Sequence, residues 1–163
     1  MTTIAVTGHL DLSEGTVTLV RRALEESLRP YAEGGRLVGV SCIAKGADTL
    51  FAEVVLALGG RLVVVTPSRD YRRNTVEPEH GASYDRLVEA AEEVLVLPYE
   101  TAGRKAYEAA NAVLVERAHR LVAVWDGTPP TGEGGGTADA VLEARAAGVP
   151  VDVVWPAGAA RRG

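Results

Sequence analysis

Six short apolar runs punctuate the chain: IAV (4–6), LVGV (37–40), LVVV (62–65), VLVL (94–97), LVAV (121–124) and VDVV (151–154). Runs this continuous do not suit a strand with one wet face; they suit strands covered on both sides. Between them lie amphipathic stretches that read as helices: SEGTVTLVRRALEESL, ADTLFAEVVLALGG, SYDRLVEAAEE, RKAYEAANAVLVERAH and TADAVLEARAAG. Strands that alternate with helices require right-handed crossovers. The expected fold is therefore α/β, a doubly wound, mostly parallel, Rossmann-like sheet of about six strands with helices on both faces. No internal repeat and no composition break divides the chain, so 1–163 reads as one domain. At 163 residues it can bury roughly two thirds of the surface that its unfolded form exposes.

Composition narrows the function. Hydrophobic residues make up 47% and charged residues 24%, which suits a packed core rather than a disordered chain. A net charge of -5 and only 5% aromatic residues argue against a nucleic-acid partner, because binding a phosphate backbone needs basic grooves and stacking rings. The single cysteine, Cys42, leaves no internal disulfide framework and reads as a small buried hydrophobe. The start MTTIAVTGHL lacks a signal-peptide layout, and no apolar run reaches the roughly 18 residues of a membrane helix. A cytoplasmic protein without a membrane partner is expected.

Ligands of open parallel sheets bind outside the carboxyl ends of the strands. The loops to inspect begin at Thr7, Ser41, Thr66, Pro98 and Asp126. In the last of them, Gly134, Gly135 and Gly136 lead into Thr137 and a helix, so its opening N–H groups would favour an anion. The spacing is neither GxGxxG nor a lysine-containing P-loop, and a flexible turn explains the glycines equally well. A second glycine-marked helix start carries Lys45, Gly46 and Asp48; Asp48 also suits the role of complement to its own helix dipole. Gly8 and His9 follow the first strand, where a small residue lets a ligand approach. Arg69, Arg72 and Arg73 cluster with Tyr71 in a long irregular segment, 66–82, either as phosphate forks or as a solvated loop. His9, His80 and His119 form no metal-ligand pattern, so neither a metal nor a cofactor is expected.

Four segments carry a resemblance: VTGHLDL (6–12), GVSCIAKGADTLFAEVVLALGG (39–60), VVVTPSRDYRR (63–73) and LVAVWDGTPPTGEGGGTADAVLEARAAGVPVDVVWPAGAAR (121–161). Through them nearly the whole chain resembles the SLOG superfamily, which joins the Smf/DprA DNA-processing proteins and the LOG cytokinin-activating enzymes. The resemblance implies a Rossmann-like fold and a nucleotide or nucleotide-derived ligand with its phosphate at Gly135, Gly136 and Thr137. It places Gly46 and Asp48 at the site's rim. Two departures stand out. The LOG-like pattern PGGxGTxxE ends on a catalytic glutamate, and here Gly136-Thr137 is followed at that spacing by Ala140. Similar sequences begin GHR, and here Leu10 takes the arginine's place.

Splitting an N-glycosidic bond calls for a carboxylate near the anomeric carbon. Glu143 lies one turn beyond Ala140 on the same helical face, Asp139 points about 100° away, and Asp126 ends its strand in place to substitute or to bond a ribose hydroxyl. These three are the candidate catalytic residues. The first expectation is a nucleotide-binding or sensing module, and the alternative is a LOG-type nucleoside 5'-monophosphate phosphoribohydrolase. The alanine-rich helical stretches 84–92 and 106–118 suit either cover for the sheet or a twofold homodimer contact.

Overall fold

The computed structural model describes residues 1–162. Strands β1 (Thr2–Gly8), β2 (Leu37–Ser41), β3 (Arg61–Thr66), β4 (Glu93–Val96), β5 (Arg120–Val124) and β6 (Val151–Val153) form one sheet in the order β4-β3-β2-β1-β5-β6. Every adjacent pair is parallel. The helices are α1 (Glu14–Ala32), α2 (Ala47–Ala57), α3 (Pro78–Ala90), α4 (Arg104–Arg117) and α5 (Thr137–Ala146). This is the doubly wound sheet that the alternation of runs requires.

Alternate strand residues supply the two faces. Ile4, Val6, Val122 and Val124 pack with α1 and α2 through Val20, Leu24, Leu28, Phe51 and Val55. Leu62 and Val64 extend that layer to Tyr84 and Leu87 of α3. The residues between them, Ala5, Val63, Val65 and Leu121, face Ala110, Leu114 and Val115 of α4 and Ala144 of α5. Fully burying one such aliphatic side chain contributes about 1.5–3 kcal/mol, and this burial holds helices and sheet together. The apolar faces of 84–92 and 106–118 are thus spent on the sheet, while charged residues such as Asp85, Arg86, Glu108 and Glu116 look outward.

Two expectations change. The segment 66–82 is not one irregular loop: a wide helical turn spans Tyr71–Thr75, closed by the Val76 N–H on the Tyr71 carbonyl, and α3 begins at Pro78. Pro78 sits in the first turn, where its missing N–H has no intrahelical partner to lose. The run VLVL is also not covered on both sides. As the edge strand, β4 leaves Val94 and Val96 40% and 54% exposed, because α3 lies mainly over β3. Among the described residues no helix is long and apolar enough to cross a membrane.

Close approach of α2 to the sheet fixes the geometry below. A Cβ on Gly39 would lie 2.6 Å from Val55 Cγ2. One on Gly8 would lie 2.4 Å from Ala47 Cβ and 2.9 Å from Val124 Cβ. Gly8 therefore makes room for the start of α2 and the end of β5, whatever else binds there.

Candidate functional site

In the order β4-β3-β2-β1-β5-β6 the chain winds outward from β1 on one side and then returns to lay β5 on the other. The crossovers after β1 and β5 diverge, which opens a crevice at the carboxyl ends of these two strands. A cavity of about 800 Å3 occupies it, within the usual range for small-ligand sites. Gly8, His9, Lys45, Asp48, Gly135, Gly136, Thr137 and Asp139 line it; Gly46, Arg69, Asp126, Gly134 and Glu143 do not.

The glycines before α5 have a cause in the loop itself. Gly134 and Gly135 adopt φ of 77° and 70°, and a Cβ on Gly135 would stand 2.5 Å from Tyr107 Cβ on α4. Left-handed backbone packed on a tyrosine explains both residues without a ligand. Gly136 differs: its backbone is extended, and its N–H donates to Asp139 Oδ2 at 3.0 Å. That is half of a capping box, since glycine has no side chain to return the bond. Asn111 Nδ2 steadies the turn by donating to the Gly136 carbonyl at 3.3 Å. The N–H groups of Thr137 and Ala138, in the first turn of α5, have no acceptor within the helix and border the cavity.

At the ends of β1 and β5, His9 and Asp126 tie the two strands. His9 Nε2 lies 3.0 Å from Asp126 Oδ1 and also accepts the Asp126 backbone N–H at 3.1 Å, so the ring holds the end of β5 through both groups of one residue. Its ring meets Trp155 edge-on at 5.7 Å. Asp126 Oδ1 also accepts the Thr128 hydroxyl at 2.6 Å and the Thr128 N–H at 2.9 Å. These donors, the Thr128 hydroxyl foremost, hold its carboxyl well below the usual carboxylate range. A carboxylate so fully engaged anchors the loop and makes a poor proton acceptor.

Arg161 was invisible in the sequence. The terminal segment returns to pair Leu12 with Arg161 through an isolated antiparallel bridge. Arg161 Nε donates to both oxygens of Asp11 at 2.9 and 3.1 Å, and its Nη1 lies 3.7 Å from Asp126 Oδ2. A guanidinium thus stands at the cavity although Leu10, itself 51% exposed, is not an arginine.

On the opposite wall Asp48 is only 9% exposed. Burial pushes its carboxyl up to about 7, against a smaller lowering from the Ala44 backbone N–H. Cys42, half-buried and lining the cavity, has its thiol pushed up by burial and by the neighbouring Asp48, which disfavours the nucleophilic thiolate. Lys45 Nζ donates to Glu77 at 3.0 Å, and His80 Nε2 lies 3.0 Å from the Ile43 carbonyl. Elsewhere, Arg69 is exposed and paired with Glu100 on the far side of β3. Glu143 is exposed on α5, its carboxyl raised by partial burial and by Glu108. Ala140 is fully buried, so a glutamate in its place would enter the core rather than the cavity. Among the described residues no cluster of His, Cys, Asp or Glu is placed to hold a metal ion.

No protein-family model and no curated protein matches the chain. Solved structures do. DNA processing protein A (DprA) from Streptococcus pneumoniae superposes with a TM-score of 0.69 at 17% identity over 97% of this chain, which spans 52% of that one. DprA from Helicobacter pylori, described with single-stranded DNA, gives 0.67 at 13% identity, covering 98% of this chain and 68% of its own. The molybdenum cofactor binding protein from Rippkaea orientalis gives 0.60 at 15% identity, covering 95% and 77%. The chain thus spans about half the length of the pneumococcal protein, and it shares with all three a Rossmann-like α/β fold.

Proposed function

We propose that this protein binds a nucleotide or a nucleotide-derived ligand bearing a single phosphate, and that it does not cleave it. One observation carries the reading: the first turn of α5 presents the N–H groups of Thr137 and Ala138 to a cavity of about 800 Å3 at the sheet's switch point. The cavity lining holds five carboxylates, from Asp11, Asp48, Glu77, Glu133 and Asp139, against Lys45 and Arg161, each already ion-paired. Such a lining supports one phosphate on backbone N–H groups and works against polyphosphates or a nucleic-acid strand. That a similar fold carries a molybdenum cofactor in Rippkaea orientalis supports a small organic ligand.

The phosphoribohydrolase alternative rests on Asp139, the one candidate carboxylate that lines the cavity; its Oδ2 is engaged by the Gly136 N–H. Release of free base from a nucleoside monophosphate by the unmodified protein would establish that alternative.

Thr137→Pro tests the binding reading directly. Proline at the first helical position preserves the helix, and the extended Gly136 before it is compatible with proline, so the substitution removes one anion-facing N–H. Thr137→Ala is the control that removes only the hydroxyl. Calorimetry with nucleoside monophosphates should show roughly tenfold weaker binding in Thr137→Pro than in Thr137→Ala, the worth of one hydrogen bond to a charged group. Equal affinity would defeat the reading. A homodimer would have to use the charged outer faces of α3 and α4 or the open edge of β4; a monomer mass by light scattering at micromolar concentration rejects it.

A further inference from the structure

Asp48 is a carboxylate that the protein buries and does not repay. It is 9% exposed, and the Ala44 N–H is the one group that stabilises its charge against that burial. The start of α2 and the Ala44 N–H favour its ionised form, yet burial outweighs them and the carboxyl is raised to about 7. Complementing its own helix dipole therefore does not explain its depth, since an exposed aspartate in the first turn would do that without the desolvation. The residue lines the cavity, within reach of whatever enters.

The surroundings restrict what that is. The backbone N–H groups of Thr137 and Ala138 call for an anion at the far wall, so the ligand carries both an acidic group and hydrogen-bond donors. Tyr71, Tyr107 and Trp125 line the same cavity and offer π faces and apolar edges, which suit a flat ring better than an alkylammonium. No metal-holding cluster is formed among the described residues, so a bridging cation does not account for the carboxylate. Two acceptor oxygens side by side match two adjacent N–H donors. Adenine and cytosine each set a donor beside an acceptor, and uracil sets a single donor between two acceptors. A ring bearing a 2-amino group beside a protonated ring nitrogen offers the donor pair.

We propose that Asp48 is the ring-reading residue of this cavity, its carboxylate accepting the paired N–H donors of a 2-amino-4-oxopyrimidine edge, as found in guanine and in pterins. This rests on the monophosphate-binding reading above and names the ligand class for it.

Titration calorimetry of the full chain at pH 8 with GMP, IMP, AMP, XMP and a pterin monophosphate tests it. GMP or the pterin phosphate should bind roughly ten- to a hundredfold more tightly than IMP, which lacks the 2-amino group, and than AMP. The stronger of the two identifies the source of the ring. Asp48→Asn should weaken that ligand at least tenfold and strengthen XMP, whose 2-oxo group meets the new amide N–H; a purely structural Asp48 would not exchange one preference for the other. Should Asp48→Asn fail to fold, the GMP-to-IMP ratio of the unmodified protein decides alone. Equal binding of GMP, IMP and AMP overturns the role of Asp48, and if that binding still weakens in Thr137→Pro the phosphate site stands. Binding of none of these ligands overturns both.

Discussion

Removing the charge of Asp48 should make the ligand-free protein more stable, and increasingly so as the pH rises. Its carboxyl moves from an ordinary value of 3.8 to about 7 because burial penalises the ionised form. At 1.36 kcal/mol for each tenfold change in the proton equilibrium, that displacement corresponds to about 4 kcal/mol. The folded-state value is raised, so the stability that goes with the neutral form is fully present below pH 4. It declines as the pH climbs, and it is gone above about pH 8. Asp48→Asn keeps the shape, lets the amide oxygen accept the Ala44 N–H, and has no proton to lose. In urea unfolding from pH 4 to 8.5, the variant should match the wild type at the acid end. It should exceed the wild type by about 2–4 kcal/mol at the alkaline end, or roughly 5–15 °C in Tm for a domain of this size. The difference between the two proteins cancels the titration of every other carboxylate. A difference that stays flat with pH, or a wild type more stable at pH 8, would refute the account of Asp48 as an uncompensated buried acid.

Asp139→Asn should cost about 0.5–1 kcal/mol of stability, because it removes the negative charge that complements the start of α5, and should tighten sulfate binding severalfold because that charge no longer repels the anion. Gly8→Ala should destabilise by about 1–3 kcal/mol in thermal melts, since its Cβ would meet Ala47 Cβ at 2.4 Å; an unchanged Tm would show that α2 is free to shift. Gly135→Ala, strained at φ 70° and pressed on Tyr107, should lose at least about 1 kcal/mol more than Gly136→Ala, whose Cβ meets only Asp139 Oδ2 at 3.3 Å. Equal losses would mean that the loop repacks freely.

The fold was legible because each strand announces itself as a short apolar run, and strand pairing then follows from chirality and connection length. The cavity was legible in outline for the same reason: the loops after β1, β2 and β5 share one sheet edge, which brings Gly8, His9, Lys45, Asp48 and Thr137 to one cavity. Sequence spacing carries no information on which way a loop side chain turns. Arg69 and Asp126 both follow strands, where ligand contacts are expected, but one lies across β3 with Glu100 and the other is absorbed by Thr128 and His9. Arg161 reaches the cavity from 150 residues beyond Asp11, a contact that no local pattern encodes. The burial of Asp48 is likewise a property of packing, and an aspartate opening a helix looks the same in sequence whether wet or dry.

The Leu12–Arg161 bridge also makes the end of the chain a reporter. Arg161 lines the cavity while its guanidinium fastens the terminal segment to Asp11. A bound phosphate that draws Arg161 inward competes with that fastening. Occupancy and tail attachment then become linked equilibria, each shifting the other by the same factor. Protease nicking beyond Trp155 would follow ligand saturation, and a polypeptide fused behind the arginines would read out as altered affinity at a site it never touches.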